Sequence, residues 1–99
     1  MWWPKALTYG NFGGPGWSGG IFTNDPKMVN WKIPAVDEMD AIFKIHDWKY
    51  QNGKSRRDAD QILYLRLSKT NINGIWSNIY RIGCLFIFSI KLAIPWIGN

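Results

Sequence analysis

Apolar and polar positions change their rhythm three times along this chain, and each change predicts an element. Val36, Met39, Phe43, His46 and Tyr50 recur three and four residues apart, which puts them on one face of a helix. The spacing predicts a helix over about 34–51. Pro34 suits its first turn, and Asp37 and Glu38 sit where the helix dipole favours acids. Asn52-Gly53 is a stop signal. Ser55 then reads as an N-cap, with Asp58 three residues on in the place of a capping box. A second helix is predicted over about 55–69, its inward stripe running from Arg56 or Ala59 through Asp60, Leu63, Tyr64 and Leu67. The connection is short, so the two helices are expected to lie antiparallel. Asn71 to Gly74 breaks the pattern, and residues 75–97 form a third apolar segment, helical at least through Leu92. Its longest uncharged run, Ile82 to Ile90, is about half of what spans a bilayer, and Lys91 and Pro95 interrupt it, so no transmembrane helix is predicted.

Ahead of the helices the rhythm disappears. Residues 1–8 are short and aromatic, and residues 9–20, YGNFGGPGWSGG, hold six of the ten glycines. Glycine at this density means positive φ or close backbone approach, and neither a helix nor a regular strand is expected there. Residues 21–33 read as irregular connection, with turn signals at Asn24-Asp25-Pro26. No repeat or internal linker divides the 99 residues, so one mainly α domain is expected. Hydrophobic residues make up 46% and charged residues 19%, which excludes simple disorder. Cys84 stands alone, which excludes an intrachain disulfide and a Cys-rich zinc site.

Three segments could carry chemistry. A glycine run taken by itself reads first as a flexible loop, but the order of this one is more informative than its composition. Glycines at 10, 13, 14 and 16 let several carbonyls turn toward one point, and carbonyls converging with one carboxylate make an oxygen cage suited to calcium. Its N–H groups could hold an anion instead. The second segment is His46-Asp47 with Tyr50. A lone His on an apolar face is usually a packed core residue. Here Asp47 follows it, about 100° round the helix, so one helix can present a proton acceptor on one side and a metal carboxylate on another, with Tyr50 on the His46 face. The third is Asp60, in line with Leu63 and Leu67. A buried carboxylate needs a partner. The antiparallel neighbour offers His46 and Tyr50, and a carboxylate on one imidazole nitrogen leaves the other free to act as a base. The alternative is a surface Asp paired with Arg56 or Arg57.

YGNFGGPG in the loop, HDWKY on the first helix and ADQ on the second together resemble the phospholipase A2 superfamily. The lack of cysteine pairs makes the likeness greatest to the compact phospholipase A2-like domains of the parvovirus capsid type. The resemblance covers about residues 9–67 and implies a small phospholipase A2-like fold: a calcium loop at 9–20, a catalytic helix at about 34–51, a second helix at about 55–69, and an apolar C-terminal segment at about 75–97. It implies that the carbonyls of Phe12, Gly14 and Gly16, with the Asp47 carboxylate, bind Ca2+. It makes His46 the general base, Asp60 its orienting partner, Tyr50 the supporting hydroxyl (with Tyr64 able to share that role), and Gly14 N–H a holder of the oxyanion. The implied activity is calcium-dependent hydrolysis of the sn-2 ester of glycerophospholipids at a membrane surface. The alternative is a catalytically silent membrane-binding module on the same scaffold.

Charge and aromatic content bear on the partner. Twelve Lys and Arg against seven Asp and Glu give +5, which favours an anionic partner, and seven Trp suit a membrane–water boundary. Trp2, Trp3, Trp17 and Trp31 with Lys5, Lys27 and Lys32 are candidates for a surface that docks on anionic lipids. The alternative is that several of these Trp are core residues. The charges are dispersed and no nucleic-acid motif is present, so no nucleic-acid partner is expected. No signal-peptide layout is read at the N-terminus. A weak carbonyl cage implies a calcium-rich setting, secreted or virion-associated. The segment 75–97 is expected as a third core helix, with a membrane-interface or partner-chain seat as the alternatives.

Overall fold

A computed structural model describes residues 7–14, 16–23, 25–53 and 55–94. The protein is mainly helical. Among the described residues a two-stranded antiparallel sheet, β1 (Trp17–Ser18) with β2 (Ile21–Phe22), precedes three helices, α1 (Glu38–Gln51), α2 (Arg56–Lys69) and α3 (Ile75–Ala93). A 3-10 turn at Pro26–Met28 lies between sheet and α1. Trp2, Trp3 and Lys5, and the end of the apolar segment at 95–97, lie outside the described residues.

The helix boundaries follow local chemistry, with one displacement. α1 starts four residues later than predicted. Asp37 is its N-cap rather than a first-turn residue: backbone extended, its carboxylate accepts from Asp40 N at 2.8 Å. Val36 therefore lies before the helix and is 62% exposed rather than part of the inward stripe. Asn52 caps the C-terminus, followed by Gly53 at φ +70°, as the stop signal implies. Ser55 caps α2 by accepting from Asp58 N. Ala59, Asp60, Leu63 and Leu67 are buried, while Arg56 is exposed and Tyr64 half-buried.

His46 lies near the end of α1 and meets Asp60 near the start of α2, so the two helices run antiparallel. α3 runs back along α2: Arg57 donates to Leu92 O near one end, and Arg81 to Leu67 O toward the other. The core gathers Tyr9 and Phe12 from the loop, Val29, Met39, Ile42 and Phe43 from the α1 side, and Leu63 and Leu67 from α2. Full burial of one such side chain contributes roughly 1.5–3 kcal/mol.

Two expectations are corrected here. The glycine segment does hold regular backbone. Gly19 and Gly20, at φ +67° and +79°, make the tight turn of the β1–β2 hairpin, with Trp17 opposite Phe22. A Gly-Gly pair between two aromatic dipeptides is a hairpin signal that the glycine density obscured. Nor is α3 an enclosed core helix: Tyr80, Cys84, Leu85 and Phe88 pack against the core, but none of its residues is fully buried. With nineteen residues it is also long and apolar enough, by length and composition, to cross a membrane, in contrast with the sequence expectation.

Candidate functional site

The loop is held against α1 by a residue that the motif reading passed over. Asp40 is fully buried, and its carboxylate accepts from Asn11 N at 3.0 Å, Phe12 N at 2.8 Å and Val36 N at 2.9 Å. Three N–H donors satisfy a buried charge that would otherwise be expensive. The approach is so close that a side chain at residue 10 would collide with this carboxyl, and Gly10 adopts φ +55°. Tyr9 and Gly13 exchange a pair of backbone hydrogen bonds, and Trp17 donates from its indole to Gly10 O. A sequence signal for Asp40 existed: it lies seven residues before Asp47, two turns along one helix face.

Pinned in this way, the loop walls a cavity of about 860 Å³ together with α1 and α3. Phe12, Gly14, Gly16, His46, Asp47 and Tyr50 all line it. The structure therefore brings together the whole candidate set from loop and first helix. The rest of the wall is mostly apolar, with Leu7, Phe43, Leu63, Trp76, Ile79, Ile87 and Phe88 among its members.

Asp60 closes the arrangement from α2. Its Oδ1 lies 2.7 Å from His46 Nε2 and also accepts from the Tyr50 hydroxyl. Its Oδ2 is paired with Lys91 Nζ at 2.8 Å, and the same ammonium donates to the Tyr50 hydroxyl. Asp60 is thus the imidazole partner, as its stripe implied, and not a surface Asp paired with Arg56 or Arg57. The second supporting group is Lys91 of α3 rather than Tyr64, which is not among the partners of Asp60. In the sequence Lys91 stands out only as an interruption of an apolar run. Its position on the same helical face as Phe88, three residues earlier, was the available signal.

The electrostatics follow from this crowding. Burial alone would raise the Asp60 carboxyl, but hydrogen bonds from His46, Lys91 and Tyr50 outweigh it and hold the group below the ordinary carboxylate range. Burial would lower the His46 imidazole; the carboxylates of Asp47 and Asp60 on either side outweigh that and hold it above its ordinary value. Burial, reinforced by Asp60, pushes the Tyr50 hydroxyl well up, so Tyr50 keeps its proton and remains a donor. Burial also pushes the Cys84 thiol up to about 12, which makes it a wall of the cavity and not a nucleophile.

The opposite ring nitrogen, Nδ1, lies on the Asp47 side, 3.8 Å from its Oδ1. Burial raises the Asp47 carboxyl, with His46 pulling it part of the way back. Asp47 Oδ2 and Ser18 Oγ are both buried without a hydrogen-bond partner. Both residues line the cavity, and an unsatisfied buried carboxylate oxygen there is the feature a cation would satisfy. Among the described residues no three His, Cys, Asp or Glu side chains converge as a metal site, so a cation here would need backbone oxygens beside Asp47. Gly14 O accepts from Trp17 N at 3.3 Å and Gly16 O from Thr23 N at 2.8 Å, leaving each carbonyl one lone pair. Gly14 and Gly16 adopt φ +128° and +67°, which only glycine takes readily.

Two of the aromatic residues proposed for docking are partly packed. Trp31 stacks on Phe12 at 5.9 Å, and Trp17 packs edge-on against Phe22 at 4.8 Å. Lys27 and Lys32 are exposed. Comparison with family models, with curated proteins and with solved structures finds no match.

Proposed function

We propose that the protein is a calcium-dependent phospholipase A2, hydrolysing the sn-2 ester of glycerophospholipids at a membrane surface. The observation that carries this reading is the His46 ring held between two carboxylates. Nε2 is fixed on Asp60 at 2.7 Å, and Nδ1 faces Asp47 inside the cavity that the glycine loop lines. Asp60 stays ionised and accepts the hydrogen bond from Nε2–H, which leaves Nδ1 as the basic nitrogen toward the cavity. From there His46 draws a proton from a water molecule as that water attacks the ester carbonyl, and later returns it to the leaving alcohol. Tyr50 and Lys91 hold Asp60 in place. The apolar wall accepts the acyl chain and excludes bulk water from the ester.

The donor set fits Ca2+. Asp47 would hold it with the carbonyls of Phe12, Gly14 and Gly16, a hard-oxygen set. Bound there, the ion supplies charge for the substrate phosphate and for the oxyanion, to which Gly14 N–H also contributes. A second reading, a silent membrane-binding module, is favoured by one observation: the Gly16 carbonyl is already engaged by Thr23 N at 2.8 Å.

Hydrolysis of phospholipid vesicles by wild type and by His46→Gln, with calcium and with a chelator, separates the two. Turnover should require calcium and fall at least about 10²-fold in the variant. No turnover in either protein, or turnover indifferent to the substitution, removes the enzyme reading. Millimolar calcium should also raise the melting temperature of wild type but not of Asp47→Lys. A flat wild-type response would count against the cage.

A further inference from the structure

α3 is apolar on both sides. The side that packs on the rest of the protein sets Tyr80, Cys84, Leu85 and Phe88 beside the polar Ser77, Arg81 and Lys91. The side left in solvent carries Ile75, Ile79, Ile82, Phe86, Ile87 and Ile90, without a single polar side chain among them. Ile75 is 83% and Phe86 67% exposed. An apolar stripe running the length of a nineteen-residue helix is more than a soluble surface normally leaves uncovered.

We propose that this outer face of α3 is the surface by which the protein lies on an anionic bilayer, the helix in the plane of the interface. The inference rests on the exposed stripe itself and specifies the membrane partner of the proposed site. Three observations select lipid. All seven acidic residues lie between Asp25 and Asp60, so the chain from Gln61 onward carries no acid; its exposed cations are Arg66 and Lys69, while Arg81 and Lys91 are turned inward. A net charge of +5, with no acid in the half of the chain that bears the apolar stripe, complements anionic headgroups. Next, Ile79 and Ile87 of the stripe, with the exposed Trp76 next to Ile75, also line the cavity wall, so a bilayer seated on α3 meets the cavity mouth directly. Finally, the inner face is tied down. Lys91 pairs with Asp60, Arg81 donates to Leu67 O, Tyr80 to Leu7 O, and Asn78 to Ile72 O. A helix crossing the bilayer would have to break these bonds and carry Arg81 and Lys91 into hydrocarbon.

Partition onto phosphatidylglycerol/phosphatidylcholine vesicles in the presence of a chelator tests this without reference to hydrolysis. Wild type and His46→Gln should bind alike, more weakly as salt rises, and at least tenfold more weakly to pure phosphatidylcholine. Phe86→Glu should lose at least tenfold in affinity for the anionic vesicles, and Ile82→Ser with Phe86→Ser should lose less. Phe86 does not line the cavity, so hydrolysis of a dispersed short-chain substrate should be unchanged by Phe86→Glu. Brominated lipids should quench tryptophan fluorescence most when the bromines are shallow, and Trp76→Phe should remove much of that quenching. Unchanged binding by the stripe variants overturns the proposal, as does equal binding to neutral vesicles or strongest quenching from the bilayer centre. So does a dimer that Phe86→Glu dissociates in a protein that ignores vesicles. Vesicle binding without hydrolysis would leave the docking surface standing and remove only the enzyme reading.

Discussion

The seam between α1 and α2 and the outer face of α3 are both built of apolar side chains at helical spacing, yet they meet opposite surroundings. Along the seam, Ile42, Phe43, Ala59, Leu63 and Leu67 are buried, and the ionisable groups among them, Asp60 and His46, are satisfied by each other and by Tyr50 and Lys91. On α3 the inward side mixes Leu85 and Phe88 with polar residues that mostly find partners, Arg81 Nε excepted, and the isoleucines face out. The difference teaches that hydrophobic periodicity reports a stripe without reporting its destination. In α1 and α2 the opposite face is mostly polar, Ile45, Trp48 and Leu65 apart, so the stripe has one favoured place to go. In α3 both faces can tolerate burial, and hydrogen bonds decide which one packs.

Substitutions at matched positions should break this comparison most sharply in the core. Phe43→Ala should cost about 3–5 kcal/mol of unfolding free energy in denaturant titration, because Phe43 packs against both Tyr9 and Tyr80. Asp40→Ala should follow at about 3 kcal/mol, since it strands the N–H groups of Asn11, Phe12 and Val36. Hydrogen exchange should show residues 9–14 opening first in that variant. Lys91→Met removes the ammonium from Asp60, and an order of 1–2 kcal/mol is expected, because the lysine keeps some solvent. Its turnover should fall while vesicle binding holds, and Lys91→Arg should recover part of the loss; unaltered turnover in Lys91→Met would deny the lysine a positioning role.

The acid limb of stability sharpens the same point. Asp60 has a folded value below the ordinary 3.8, so its contribution is present above that pH and disappears as pH falls through the lower folded value. Asp60→Asn should therefore flatten the loss of wild-type stability below about pH 4. The smallest effect belongs to the outer face. Phe86→Ser should change unfolding free energy by less than about 0.5 kcal/mol in solution, against the several expected at Phe43. A cost as large as that at Phe43 would mean the face is covered.

Much of the candidate site is legible in the sequence. His46 and Tyr50 share a face by their i, i+4 spacing, and Asp60 sits in a buried stripe on the next helix. A four-residue connection leaves them little choice but to meet. The proposed docking tryptophans were less legible: Trp17 and Trp31 are spoken for by Phe22 and Phe12, contacts that their residue type does not announce. The helix start moved from Pro34 to Glu38 because the capping carboxylate of Asp37 outweighs the tolerance of a helix N-terminus for proline.

By itself the sequence determined three helices, their breaks at Asn52-Gly53 and Asn71–Gly74, and the meeting of His46, Tyr50 and Asp60. These depend on spacing, capping and short loops, all local quantities. Tertiary structure alone decided that Asp40 clamps the glycine loop, that Lys91 completes the Asp60 pair, and that α3 shows its isoleucines to the outside. Those outcomes depend on groups 28 to 41 residues apart competing for partners in one interior, as in the Phe12–Asp40 and Tyr50–Lys91 bonds. A buried carboxylate takes whichever donor the packing delivers, and no periodicity in the chain records which donor that will be.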